Sequence, residues 1–247
     1  MGIIKRILKI TLTVMLTITI VFLLTYLSIV LPFSPYYINW EEPVPIYDKN
    51  RPIYIVEEVL IREYLENKII FMQYDNIPEQ LINAFIAAED NRFFKHRGFD
   101  IKGILRALTV NVKKRDIVQG GSTISQQLAR NLFLNHEQTV QRKLLELVIA
   151  IELERRFTKE EILEMYLNQI YFGNGNYGIE RAALKYFNTS TPNLTLEQGA
   201  MLAAIIKAPN LYNPIVNPQL AIEQQQIVLR QMTVMGFISE EVLTATD

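Results

Sequence analysis

A single glutamate closes an apolar stretch and is followed at once by aromatic and cationic residues. Glu89 ends the apolar run in FIAAED, and NRFFKHRG comes directly after that string. A carboxylate at the end of an apolar helix face loses part of its hydration, which raises its pKa and lets it exchange a proton near neutral pH. Glu89 is therefore a candidate general acid or base. The alternative is a solvated helix-terminal acid paired with Arg92 or Lys95.

A second polar string, GGSTISQQ, opens on Gly120 and Gly121. Ser122 or Thr123 can cap a helix that begins here, and the exposed N–H groups of a helix start suit an anion. Donor side chains continue over the next turns at Gln126, Gln127, Arg130 and Asn131. This pattern predicts a cradle for sugar hydroxyls or phosphate. The alternative is an ordinary capped surface helix.

A third cluster places one carboxylate beside two cations. Arg142, Lys143 and Glu146 are spaced so that they share one face of a helix. Leucine, valine and isoleucine crowd the same turn, so we expect some burial. The functional interpretation is a charged site that meets an anion, and the alternative is a plain salt bridge on a helix surface. His96 alone is a weak candidate, because a histidine in a polar loop is more often a hydrogen-bonding strut.

Helices must position these residues. From Pro78 onward, apolar residues recur at helical spacing, as in PEQLINAFIAAED and IKGILRALTVNVKK. The longest such stretch is 137–156, and LTLEQGAMLAAIIKAP supplies another, in which Thr195 begins a capping box. Alternating strand patterns are scarce. The sequence therefore predicts a mainly α fold.

The amino end predicts a membrane anchor. Residues 10–40 contain no Asp, Glu, Lys or Arg, and about 20 apolar residues suffice to cross a bilayer. Lys5, Arg6 and Lys9 precede this run, which places the amino terminus in the cytoplasm and the main domain outside. A cleaved signal peptide is the alternative, but the run is long and lacks an A-x-A site. The predicted organisation is a basic tail (1–9), a transmembrane helix (10–31), a proline-rich connector and lead-in (32–74) and the main domain (75–247).

Overall composition excludes several classes of protein. The chain has 247 residues, no cysteine and a formal net charge of −1. A disulfide scaffold and thiolate metal sites are excluded, and two histidines, His96 and His136, leave little room for a multi-histidine zinc site. A near-neutral total also argues against a general nucleic-acid binder, so we expect no nucleic-acid partner.

The near-neutral charge hides an uneven distribution. Residues 89–156 carry 13 basic and 8 acidic side chains, whereas the rest of the chain beyond the first nine residues carries 9 and 18. A basic segment just outside a membrane suits anionic lipid headgroups or a phosphorylated substrate. The alternative is chance clustering on a solvated helix face.

Taken together, these strings resemble the four ordered motifs of the peptidoglycan glycosyltransferase family, which includes the glycan-polymerising module of class A penicillin-binding proteins and monofunctional, membrane-anchored biosynthetic forms. The motif E-D-x-x-F-x-x-H-x-G is met by Glu89, Asp90, Phe93, His96 and Gly98. The motif G-G-S-T-x-x-Q-Q is met from Gly120 to Gln127, and R-K-x-x-E by Arg142, Lys143 and Glu146. The motif K-x-x-I-L-x-x-Y-L-N is met by Lys159, Ile162, Leu163, Tyr166, Leu167 and Asn168.

The resemblance implies a lysozyme-like helical domain with a smaller membrane-associated lobe around residues 100–120. It implies polymerisation of lipid-linked disaccharide-peptide (lipid II) into β-1,4 glycan strands, with inversion and release of polyprenyl pyrophosphate. Glu89 would be the general base, and Glu146 would support the leaving group through the adjacent cations or a divalent ion, Mg²⁺ or Mn²⁺. No organic cofactor is implied. The implied substrate-binding residues are Asp90, Phe93, His96, Gly98, Gly121, Ser122, Thr123, Gln126, Gln127, Arg130, Asn131, Arg142 and Lys143.

The implied partners are lipid II, the growing lipid-linked glycan, the bacterial cytoplasmic membrane, and transpeptidases or other cell-wall proteins. Three positions depart from the family pattern: Arg130 replaces a lysine, Gln138 replaces an arginine, and Asn188 stands where glycine often follows Y-F. The first two resemble positions that help to hold pyrophosphate. The rival interpretations are a lysozyme-like hydrolase and a non-catalytic membrane scaffold. The sequence ends soon after the resemblance, and it leaves open whether it is a piece of a longer protein.

Overall fold

The structure is a computed structural model of the chain. It describes residues 13–22, 44–48, 51–55, 70–114, 121–134 and 139–246. Helices dominate these residues, which confirms the predicted mainly α class. From residue 70 onward they are α1 (Glu79–Glu89), α2 (Ile101–Lys114), α3 (Ile124–Phe133), α4 (Val140–Arg156), α5 (Lys159–Gln169), α6 (Ile179–Phe187), α7 (Leu196–Ile205), α8 (Pro218–Val234) and α9 (Glu240–Ala245). Single 3-10 turns lie at Tyr74–Asn76, Phe93–Lys95 and Thr191–Asn193.

Threonine side chains fix where three of these helices begin. Thr123, Thr158 and Thr195 each form a capping box with the residue three positions later, at the starts of α3, α5 and α7. Such a box satisfies two backbone N–H donors that a helix start otherwise leaves open. Of the two candidate caps Ser122 and Thr123, Thr123 is the one used, and the predicted capping box at Thr195 is confirmed.

The core lies between α1, α3, α5, α7 and α8. Helix α1 packs against α7 and α8, while α3 packs against α4 and α5. The largest fully buried side chains include Phe85, Phe93, Tyr166 and Phe172, and the rings of Phe85 and Phe172 meet edge to face. Ile86 and Ala87 in the last turn of α1 are buried, so the carboxyl end of this helix lies in a tightly packed setting.

An amide ties the entry of the domain to α5. The fully buried Asn168 side chain accepts a hydrogen bond from the Met72 backbone N–H at 2.7 Å and donates to the Met72 carbonyl at 2.8 Å. Two residues later, the Tyr74 N–H donates to Glu164 Oε2 at 2.7 Å. The side-chain amide of Asn168 therefore bonds both backbone groups of Met72, as the backbone of a neighbouring β-strand would. This asparagine of the fourth motif has a structural role.

Asn188 ends α6 in a left-handed conformation, with φ of 52°. Glycine is the usual residue at such a helix end because it lacks a Cβ, and asparagine is the next most frequent choice. The departure at this position therefore preserves the turn.

A two-stranded hairpin lies inside the proline-rich connector. Strand β1 (Val44–Asp48) pairs antiparallel with β2 (Arg51–Ile55), and Val44 stands opposite Ile55. Among the described residues each strand pairs only with the other, so Pro45 and Pro52 can be accommodated without a ladder hydrogen bond. The sequence predicted a proline-rich connector and lead-in here, and it did not predict the pairing of two strands within it.

The predicted membrane-facing segments are described only in part. Residues 13–22 are helical and exposed, and the hydroxyls of Thr17 and Thr19 donate to carbonyls four residues earlier, as expected of threonine in an apolar helix. The rest of the predicted span lies outside the described residues, and none of the described helices is long and apolar enough to cross a membrane. In α2, Ile101 and Leu105 are exposed. Three expectations therefore stay predictions: the transmembrane helix, the membrane-associated lobe and the similarity of the fold to lysozyme.

Candidate active site

Glu89 is the last residue of α1, and its carboxylate turns toward α3. Gln127 Nε2 donates a hydrogen bond to Glu89 Oε2 at 2.8 Å. Burial raises the pKa of Glu89, although the Gln127 hydrogen bond and the nearby Lys207 and Arg130 act in the opposite direction. The desolvated carboxylate inferred from FIAAED is thus present. Arg92, the salt-bridge partner in the alternative interpretation, instead lies with its Nε 3.1 Å from Asp100 Oδ2.

Asp90, the next residue, joins the end of α1 to the start of α3. Its buried Oδ2 is hydrogen-bonded to His96 Nε2 at 2.8 Å and accepts the backbone N–H of Ile124 at 3.0 Å. One carboxylate therefore fixes both the loop after α1 and the first turn of α3. The resemblance implied that Asp90, Phe93 and His96 bind substrate. All three side chains are buried, and their part in substrate binding stays a prediction.

A buried polar network lies behind His96. Glu154 Oε1 accepts hydrogen bonds from Ser125 Oγ at 2.5 Å and Lys159 Nζ at 2.6 Å, and it lies 3.9 Å from His96 Nδ1. The same Lys159 Nζ lies 4.3 Å from the centre of the Phe93 ring. This network locks α3 against α4 and the start of α5. Sequence patterning did not single out Glu154, because ELERR looks like a solvated helix end.

The loop after His96 is held against α3 and α4. Thr123 Oγ1 donates to the Gly98 carbonyl at 2.7 Å, while Gln126 completes the capping box on Thr123. Gly98 has φ of 88°, and a Cβ there would lie 2.9 Å from the Ala150 carbonyl group. Thr123 and Gln126 are buried, so the alternative of a surface helix is wrong for α3. The side chains left partly accessible in this string are those of Ser122, Gln127, Arg130 and Asn131, next to the half-buried Gly121.

Glu146 is the centre of the cationic cluster on α4. Only 1% of its side chain is exposed; Arg142 donates to its Oε1, and Lys143 Nζ donates to its Oε2 at 2.7 Å. Lys143 Nζ also donates to Ser122 Oγ at 2.7 Å, which joins α4 to the residue before the α3 cap. Burial, together with Arg130 and Arg142, lowers the pKa of Lys143 to about 8. The predicted burial of this turn is therefore present, and the cluster is more than a surface salt bridge.

The surroundings of Glu146 do not match a metal site. Each of its carboxylate oxygens already accepts a cationic side chain. Within the described residues, no group of three or more His, Asp or Glu side chains could hold a metal ion. The divalent ion stays a prediction.

Two residues that sequence patterning did not assign to the site act on Glu89. Lys207, just beyond α7, favours the charged form of Glu89, and the fully buried Tyr166 on α5 donates to Gln127 Oε1 at 3.3 Å. Lys207 could have been found by the same sequence pattern as Glu89, because it is a lone charged residue at the end of an apolar helix, in GAMLAAIIK. Gln138, the remaining departure from the family pattern, lies outside the described residues.

Comparison with known proteins identifies the family of this chain. A family model described as Transglycosylase matches residues 57–233. The chain belongs to the transglycosylase family. This membership confirms the resemblance to the glycosyltransferase module of class A penicillin-binding proteins.

Relatives of this transglycosylase are larger proteins. Penicillin-binding protein 1A of Aquifex aeolicus (strain VF5) is 49% identical over 174 residues, which cover 70% of this chain and 24% of the relative. Penicillin-binding protein 1F of Bacillus subtilis (strain 168) is 42% identical over 224 residues, covering 90% of this chain and 31% of the relative. The chain thus spans a quarter to a third of their length. The crystal structure of penicillin-binding protein 1A from Haemophilus influenzae shares 24% identity over 72% of this chain and 17% of its own, with a TM-score of 0.42.

Proposed function

We propose that this transglycosylase polymerises lipid II into β-1,4 glycan strands of peptidoglycan and releases polyprenyl pyrophosphate. The observation that carries the proposal is that the segment around the start of α3 is hydrogen-bonded to both charged groups. Gln127 Nε2 donates to Glu89 Oε2 at 2.8 Å, and Ser122 Oγ accepts from Lys143 Nζ, which also donates to Glu146. The charge of Arg130, on the same helix, lowers the pKa of both Glu89 and Lys143. A glycosyl transfer from a pyrophosphate donor needs a base for the acceptor and positive charge for the leaving group, side by side.

Glu89 acts as the general base in this proposal. It takes the proton from the acceptor sugar hydroxyl as the oxygen attacks the anomeric carbon of the donor. The new carbon–oxygen bond forms on the face opposite the leaving group, the bond to the pyrophosphate oxygen breaks, and the configuration inverts. The raised pKa of Glu89 suits this task, because a base is most effective when its pKa lies near the working pH.

The cations offset the charge that develops on the pyrophosphate. Arg130, Arg142 and Lys143 supply this charge, and Glu146 holds the last two in place by accepting a hydrogen bond from each. Ser122 is hydrogen-bonded to Lys143, and Gln127 is hydrogen-bonded to Glu89. In this proposal both side chains contact sugar or phosphate oxygens of the bound substrate. Fixed charges of this kind act without reorganising during the reaction.

The setting we propose is the outer face of the bacterial cytoplasmic membrane. A single helix over residues 10–31 would anchor the chain with its amino terminus in the cytoplasm. The exposed apolar residues of α2, together with Lys102 and Arg106, suit the membrane–water interface. Transpeptidases or other cell-wall synthesis proteins would then cross-link the product.

The test is incubation of the purified full chain with lipid II, followed by separation of the glycans by length. Polymers longer than the precursor support the proposal. Shortening of a preformed lipid-linked glycan would instead support a hydrolase, and the absence of any change in either substrate would support a non-catalytic scaffold. Parallel reactions with Mg²⁺, with Mn²⁺ and with a chelator test the predicted divalent ion.

A further inference from the structure

Tyr166 is a buried tyrosine whose hydroxyl reaches the partner of Glu89. Its side chain is fully buried on α5, and its hydroxyl donates to Gln127 Oε1 at 3.3 Å. The other end of the same amide, Nε2, donates to Glu89 Oε2 at 2.8 Å. Side chains from α5, α3 and α1 therefore form one hydrogen-bonded series that ends on the carboxylate.

The orientation of the Gln127 amide decides which protonation state of Glu89 is favoured. With its N–H group toward Glu89, the amide stabilises the ionised carboxylate. With the amide reversed, its oxygen would face the carboxylate, and a hydrogen bond would form only if Glu89 were protonated. Reversal would also leave the buried O–H of Tyr166 without an acceptor at Gln127, which is costly in a protein interior.

We propose that Tyr166 is a positioning residue, which holds the Gln127 amide with its N–H toward Glu89 and so keeps this carboxylate available as a base. The inference rests on the proposed function, in which Glu89 accepts a proton from the acceptor sugar. Tyr166 itself touches no reacting group.

The electrostatic surroundings support a donor that stays protonated. Burial and the Glu89 charge hold the pKa of Tyr166 well above its usual value, so its hydroxyl keeps its proton throughout the working pH range. Among the described residues, the charged groups that act on Glu89 are Asp90 beside it, Arg130 on α3 and Lys207 beyond α7. Replacement of Tyr166 by phenylalanine leaves all three in place and therefore isolates the hydrogen bond.

The test compares Tyr166→Phe with the unmodified full chain in the dependence of kcat/KM on pH. We expect the acidic limb to move to higher pH by about half a unit to one unit, as the loss of one hydrogen bond to the supporting amide would produce. Tyr186→Phe is the matched control, because it removes another tyrosine hydroxyl bond, to the Phe172 carbonyl at 2.7 Å. Its acidic limb should stay in place.

A double-mutant cycle measures whether the two side chains shift the acidic limb through the same hydrogen bond, which a merely structural role of Tyr166 would not predict. Gln127→Ala should shift the limb in the same direction, and Tyr166→Phe added to Gln127→Ala should shift it no further. Full additivity of the two shifts, or an unmoved limb in active Tyr166→Phe protein, would overturn the positioning role.

A direct titration separates this inference from the proposed function. The Glu89 carboxyl is followed by carbon NMR in the detergent-solubilised full chain, with its signal assigned by loss in Glu89→Gln. A higher Glu89 pKa in Tyr166→Phe than in the unmodified protein supports the inference even if lipid II is not polymerised, in which case the proposed function alone fails. An unchanged Glu89 pKa overturns the inference even if polymerisation is observed.

Discussion

The two glutamates of the site are the same residue type in opposite surroundings. Glu89, at the end of α1, is desolvated and hydrogen-bonded by the neutral Gln127 amide. Glu146, on α4, is almost fully buried, yet cations bond to both of its oxygens. The first arrangement leaves a carboxylate able to exchange a proton, whereas the second uses a carboxylate to hold positive charge in place. Environment, and not residue type, thus divides the work between two acids.

The largest expected effect comes from removing the proposed base. Glu89→Gln keeps the shape of the side chain but cannot accept the proton, so we expect polymerisation of lipid II to fall by about 100- to 10,000-fold. Thermal unfolding should be nearly unchanged. Glu79→Gln, at the exposed start of the same helix, is the control and should retain activity. Survival of activity in Glu89→Gln would remove the distinction between the two glutamates.

Loss of the Glu146 carboxylate should be next in size. A glutamine there carries no negative charge to offset Arg142 and Lys143. The two cations then repel each other and move apart, so we expect kcat/KM to fall by roughly 100-fold. The acidic limb of the pH profile should keep its position, because that limb belongs to Glu89.

Glu152→Gln is the matched control for this change. Glu152 accepts hydrogen bonds from Arg155 and Arg156 on the same helix, and it is more exposed than Glu146. Its replacement should leave polymerisation unchanged. A shift of the acidic limb in Glu146→Gln would mean that Glu146, too, exchanges a proton.

Gly98 lies between the surroundings of the two glutamates. Its carbonyl accepts a hydrogen bond from the Thr123 hydroxyl at the start of α3, and its backbone lies against α4, which carries Glu146. Gly98→Ala should lower the free energy of unfolding by about 1–3 kcal/mol, through the positive φ and the close approach to Ala150. Gly175→Ala separates the two causes, because Gly175 has φ of 74° but no atom within 4 Å of an added Cβ. Equal losses in melting temperature for the two variants would show that the contact with α4 contributes nothing.

The smallest effect should appear at alkaline pH. Lys143, with a pKa lowered to about 8, is charged below that pH and loses its charge as the pH rises through it. The charged fraction, and with it the capacity to hold pyrophosphate, should fall by about tenfold between pH 7 and pH 9. Lys143→Arg should flatten this decline in kcat/KM, whereas Lys185→Arg on the exposed side of α6 should not. A decline that persists in Lys143→Arg would assign the alkaline limb to another group.

Local patterns in the sequence by themselves determined many of the helices and several residues of the site. Apolar spacing placed the helices, Thr195 with a glutamine three residues later marked the start of α7, and Ser122 or Thr123 marked the start of α3. A lone acid closing FIAAED indicated Glu89. The spacing of Arg142, Lys143 and Glu146 placed them on one helix face. These are short-range consequences of helix geometry, so a linear sequence displays them directly.

Only the tertiary structure decided which of these residues face each other. Glu89 and Gln127 are 38 positions apart and Gln127 and Tyr166 are 39 apart, and they meet only because α1, α3 and α5 fold into one core. Packing also buried Asp90 and His96 as supports, and it brought Lys207 toward Glu89. A helix pattern specifies a face but not the helix it meets, because that choice depends on the shapes and volumes of side chains distributed over the whole core.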